Sequence, residues 1–166
     1  MSGAYEPTIA GKSKIGGLMI NGHLGRISVL SIPDRPGVAA ALLDALGQRR
    51  LNVQFIVQCI DEQNRDHIVL CVDRGDLEAC QLAIQEIVPA LQAEYVQCDA
   101  NAASIGIFGP DFRWRPGIAA KMFQALAGKG INILAISTSI STVMCVINAD
   151  DLPAAEAAIR EAFDVP

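Results

Sequence analysis

The chain has 166 residues, 51% hydrophobic and 19% charged, with a net charge of −5 and a pI near 4.9. That is apolar material for one compact domain or two small ones, and the acidic balance, with no basic stretch interleaved with aromatics, argues against a nucleic-acid partner. No apolar run approaches the ~18 residues of a membrane span and residues 1–24 lack a signal-peptide core, so a cytoplasmic protein is expected, away from membranes.

Residues 1–13 are small and polar and read as a flexible lead-in. Ile15–Ile20 has strand character, Asn21-Gly22 marks a turn, and Arg26–Ile32 is the next strand. From Pro36 to Gly47, the residues Val38, Leu42, Leu43 and Leu46 fall on one helical face. Leu51–Gln58 reads as a strand, Asp61–Asp66 as a polar hairpin loop and His67–Val72 as the returning strand. Asp76–Val88 carries Leu77, Cys80, Ile84 and Ile87 at helical spacing, with Pro89 near its end, and Tyr95–Cys98 is a fourth strand. The order is β-α-β-β-α-β.

The unit then begins again. Ser104–Phe108 is a strand, and Pro116–Ala127 is a helix whose Ile118, Met122, Phe123 and Leu126 repeat the first apolar face eighty positions on. Ile131–Ile133 matches Leu51–Val53 at the same offset, Thr142–Ile147 is a strand, and Asp151–Phe163 is the last helix. After Phe163 only Asp-Val-Pro remains, so the second copy lacks its fourth strand and would leave an open edge. Ile15–Ile20 is the unassigned strand and is expected to fill that place beside Ser104–Phe108. The expected fold is therefore α+β, with two ferredoxin-like units. The first, residues 25–100, is inserted in the second, residues 14–21 plus 101–166.

The most informative stretch is Ser31-Ile-Pro-Asp-Arg-Pro-Gly-Val-Ala39, with Arg113-Trp-Arg-Pro-Gly-Ile-Ala119 as its copy. Asp34 suits a helix N-cap, Pro36 the first turn, and Gly37 lets another group approach the backbone. A helix N-terminus offers unpaired N–H groups to a carboxylate. A free amino acid brings an ammonium as well, and Asp34 with the Gln58 side-chain oxygen are suitable acceptors for it. Each residue also has a plain structural reading: Asp34 as a cap alone, Asn132 as a strand-start hydrogen bond. Trp114 is expected to cap the core, although with Arg113 and Arg115 it could recognise an acidic or aromatic ligand. The five cysteines have no Cys-x-x-Cys spacing and read as buried hydrophobes, and His23 and His67 have no evident catalytic partner nearby in sequence. No catalytic residue, metal or cofactor is expected.

Asp34-Arg-Pro-Gly-Val-Ala39, Asn52-Val-Gln-Phe-Ile-Val-Gln58 and Asn132-Ile-Leu-Ala-Ile-Ser-Thr-Ser139 resemble the tandem ACT modules of aspartokinase over roughly residues 13–165. The resemblance implies the same β-α-β-β-α-β fold, with one module inserted in the other. It also implies an effector cage at a module interface, made of Asp34, Gly37, Val38, Ala39 and Gln58 with Asn132 and Ile133 of the other module. A second, equivalent site would comprise Arg115, Gly117, Ala119, Asn52, Val53 and Thr138. The chain departs from the family pattern at Gly130, where an Asn is common, and at Ile140, where a Glu is common. Nothing resembles the kinase half, so the expectation is the regulatory β-subunit or a free-standing copy of it. It would be a non-catalytic allosteric module in aspartate-family amino-acid biosynthesis, binding threonine or lysine, forming a homodimer and partnering a catalytic aspartokinase subunit. The alternatives are a stand-alone ACT sensor acting on another enzyme and, less favoured, a small ferredoxin-like enzyme.

Overall fold

In the computed structural model, which describes residues 12–166, strands and helices follow in the order β1 (Ser13–Lys14), β2 (Gly17–Pro33), α1 (Val38–Gly47), β3 (Val53–Ile60), β4 (Arg65–Asp73), α2 (Leu77–Leu91), β5 (Tyr95–Phe108), α3 (Ile118–Gly128), β6 (Ala135–Thr138), β7 (Thr142–Asn148), α4 (Leu152–Ala162) and β8 (Phe163–Asp164). The lead-in expected over residues 1–13 lies outside the described residues up to residue 11. Its last residue does not fit the expectation, because Ser13 is buried in β1. Among the described residues, no helix is long and apolar enough to cross a membrane.

The chain divides into two compact units, one of His23–Ala102 and one of residues 12–22 with Ala103–Pro166. In the first, the central unit, the strand order is β3-β4-β2-β5. Isoleucines and valines alternate along these strands, so one face collects Ile27, Val29, Ile32, Ile68, Leu70 and Val72. Helices α1 and α2 close that face with Val38, Leu42, Leu46, Cys80 and Ile84. Leu43 is not among them. It is 40% exposed, because the buried stripe runs through Val38, Leu42, Ala45 and Leu46 and turns position 43 outward.

In the second, the split unit, the order is β2-β5-β7-β6. The Gly16 N–H donates to the Phe108 carbonyl at 2.6 Å. A Cβ at Gly16 would lie 2.9 Å from the Phe108 ring, so the glycine admits that ring. The core is Ile105, Ile107, Met122, Leu126, Cys145, Ile147, Ile159 and Phe163. The two ends of the described chain are tied together: β8 pairs in parallel with β1, Ser13 opposite Phe163, and the Ile15 N–H reaches the Asp164 carbonyl at 3.1 Å.

Three local expectations fail for identifiable reasons. Asn21-Gly22 is no turn but lies inside β2, where a Cβ at Gly22 would stand 3.0 Å from the Leu152 side chain. Ile131–Ile133 is not a strand. Gly130 takes a positive φ of 72°, Ile131 turns its side chain into the core, and pairing with β7 begins only at Ala135. Helix α2 runs past Pro89 to Leu91, ending where Gln92 turns left-handed at φ 58°.

Candidate functional site

Both proline-glycine turns end in the same device. Gly37 (φ 99°) and Gly117 (φ 89°) are left-handed N-caps of α1 and α3. A Cβ at Gly37 would meet only open space, so glycine is required there by its backbone angle and not to let a group pass. The first helical bonds run from the Ala41 N–H to the Gly37 carbonyl and from the Lys121 N–H to the Gly117 carbonyl, both 2.9 Å. The N–H groups of Val38 and Ala39 are thus among the unpaired donors at the start of α1.

Asp34 is not the helix cap. The glycine turn sets it three residues before the N-cap, and it makes no side-chain capping bond to the helix. It is exposed, and its backbone N–H donates to the Asn64 carbonyl at 3.1 Å, which fixes it to the β3–β4 hairpin. That hairpin is itself organised by Asp61. One Asp61 oxygen accepts from the N–H groups of Gln63 and Arg65 at 2.9 Å each; the other meets His67 Nε2 at 2.9 Å. The Ser31 N–H donates to His67 Nδ1 at 3.3 Å, so Nε2 carries the proton given to Asp61. The hydrogen bond from His67, then that from the Arg65 N–H, hold the Asp61 carboxyl below the ordinary carboxylate range. His67 therefore does have an acidic partner, six residues back, and its work is to tie Asp61 to Ser31, whose φ of 56° marks a bulge in β2.

Gln58 sits on the edge strand β3 and its Nε2 donates to Asp66 Oδ1 at 2.7 Å. Asp66 is 1% exposed. It was missed as a site residue, although the sequence carries a signal for it. Asp66 shares the core period of Ile68, Leu70 and Val72, where an acid needs a reason to be. Asp34 and Gln58 are thus both anchored to one hairpin.

The central unit holds Asp34, Gly37, Val38, Ala39 and Gln58, along with Asn52 (exposed) and Val53 (half-buried). The split unit holds Asn132 (exposed), Ile133 (packed on its core), Arg115, Gly117, Ala119 and Thr138. Within the split unit, Arg115, Gly117, Ala119 and Thr138 line one cavity of about 270 Å³ with Arg113 and Ile140. Its chemistry differs from that of the first turn. Eighty positions on from Asp34 stands Trp114, and eighty on from Gln58 stands Thr138, so no acid lines this cavity. Trp114 does not cap the core: it is 74% exposed, with the Arg113 guanidinium 4.7 Å above its ring. Arg115 is occupied structurally, donating to the Lys14 carbonyl at 2.7 Å and pairing with Asp111 at 3.3 Å.

The cysteines divide as their burial dictates. Burial raises the Cys71 and Cys145 thiols to about 12 and Cys80 to about 11, so they stay protonated and unreactive. Cys59 is exposed, against the expectation of five buried thiols.

Residues 26–88 and 105–163 each match the ACT domain family. The aspartate kinase of Pseudomonas fluorescens (strain SBW25) is 32% identical over 151 residues, covering 91% of this chain and 37% of that protein. The regulatory subunit of aspartate kinase from Thermus thermophilus, solved ligand-free, superposes with a TM-score of 0.83 at 28% identity, over 92% of this chain and 100% of that one. A structure of aspartokinase alpha and beta subunits gives a TM-score of 0.82 at 29% identity, covering 89% and 97%. The chain therefore spans about a third of the curated kinases it matches and the whole of a regulatory subunit.

Proposed function

The chain belongs to the ACT domain family and is homologous to the regulatory region of aspartokinase, and on that premise we propose that it is a non-catalytic module that binds a free amino acid and controls an aspartokinase. The observation that carries this is its match along the full length of the Thermus thermophilus regulatory subunit. The effector is a small amino acid, threonine or lysine being favoured. Its ammonium lies between Asp34 and the Gln58 oxygen, and its carboxylate on the N–H groups at Gly37, Val38 and Ala39. The cavity at Arg115, Gly117, Ala119 and Thr138, within the split unit, is the second site. The division of the chain supports reading residues 25–100 as a module inserted in one made of residues 14–21 and 101–166.

The protein acts in the cytoplasm as a homodimer, together with a catalytic aspartokinase chain. Each unit ends its sheet in an edge strand, β3 or β6, that exposes isoleucine: Ile56 and Ile60 on one, Ile136 on the other. Such edges need covering. Light scattering at micromolar concentration should give twice the chain mass, and a value of 17.6 kDa would refute the dimer. An effector controls the kinase only by binding two states of the assembly unequally.

A thermal-shift screen of the twenty amino acids tests the function. A ligand at a hundred times its Kd adds about 2.7 kcal/mol to the native state. Threonine or lysine should raise the melting temperature by several degrees, and a screen in which no amino acid does so would overturn the reading.

A further inference from the structure

Asp66 lies on the helix-facing side of β4, opposite Ile32 of β2 and Ile60 of β3, and beside the fully buried Ile68. Among the described residues it joins no ion pair, and its side chain is met by the Gln58 amide. A buried carboxyl group needs a hydrogen-bond partner, and Asp66 Oδ1 accepts from Gln58 Nε2 at 2.7 Å. It therefore takes the NH₂ end of the Gln58 carboxamide. The two ends of a carboxamide are joined rigidly at one carbon, so Oε1 is turned the other way. Rotating the amide by half a turn would set oxygen against oxygen.

We propose that Asp66 is a positioning residue that locks the Gln58 carboxamide with its oxygen outward, so that the site accepts an ammonium in preference to a group that is not a cation. The inference rests on the reading of Gln58 as an effector residue. Its chemical consequence is selectivity for an amino acid over the corresponding 2-hydroxy acid. The split unit has no acidic counterpart: Thr138 replaces Gln58 and stands opposite Val143 as Gln58 stands opposite Ile68, so the place of Asp66, two residues before Ile68, falls to Ser141. The ammonium-selective device belongs to the central unit.

Two measurements separate this proposal from the reading it builds on. In the ligand-free wild type, the Nε2 protons of Gln58, followed by NMR, should exchange with water about tenfold more slowly than those of a free glutamine side chain. Exchange at the free rate would overturn the role of Asp66, whatever the protein binds. Calorimetry then compares threonine with 2,3-dihydroxybutanoate, and lysine with 6-amino-2-hydroxyhexanoate. Wild type should prefer one of the amino acids, and Asp66→Asn should reduce that preference about tenfold. In a Gln58→Ala background, Asp66→Asn should change the preference no further. An undiminished preference in Asp66→Asn would overturn the assignment. Failure of wild type to bind either amino acid would overturn the amino-acid reading instead, with the exchange rate still deciding whether Asp66 holds the amide.

Discussion

Gln58 and Asp34 exchange the roles that their sequence context gives them. Asp34, three residues before a helix, looks like a cap whose removal would cost stability, and Gln58 looks like a side chain with nothing but a ligand to touch. In the structure Asp34 makes no cap, while Gln58 is the hydrogen-bond partner of a buried carboxylate. Gln58→Ala should therefore destabilise the ligand-free protein by about 1–3 kcal/mol, the cost of leaving a buried polar group unpaired. Urea denaturation checks this, and an unchanged midpoint would show that water satisfies Asp66 as well as Gln58 does. The glycine of the turn accounts for the change. Its left-handed φ of 99° adds a bend that no spacing rule from Asp34 to the helix includes.

At the level of elements, the β3–β4 hairpin carries most of what positions the first turn. Asp61 holds its loop by bonds to Gln63, Arg65 and His67, and the loop in turn holds Asp34 through the Asn64 carbonyl. Because the Asp61 carboxyl is held low, its contribution is complete above its ordinary value of 3.8 and is lost as pH falls through the lower folded value. Asp61→Asn should accordingly lower the melting temperature at neutral pH, and the gap to wild type should close below pH 3.8. A gap independent of pH would mean that charge on Asp61 is irrelevant. The sequence made such elements legible wherever hydrophobic period and chain length agreed, as in all four helices and the hairpin. It failed at Asn21-Gly22, where a turn signal proved to be a close contact with Leu152 in the middle of a long strand. It also missed β8, since two residues after a helix carry no period to read.

For the whole molecule, the eighty-residue repeat in the sequence reappears as two units of like order, each with two helices on one sheet face. The repeat stops at the sites. Both turns keep the glycine cap, but Asp34 and Gln58 have Trp114 and Thr138 as their counterparts, so the two turns present different chemistry. For Asp66 the sequence shows an acid on the core period of Ile68, Leu70 and Val72, but that it lies within reach of Gln58 follows only from the register of β3 on β4. Under the proposed function, Asp34 and its neighbours bind the ammonium and carboxylate of a free amino acid. Asp34→Ala now tests it most directly, because that side chain is exposed and caps nothing. Calorimetric titration with threonine and lysine should show binding to wild type and a loss of about 1.5–3 kcal/mol in Asp34→Ala, roughly ten- to 150-fold in Kd, with the ligand-free melting temperature unchanged. Full-affinity binding by Asp34→Ala would contradict the account.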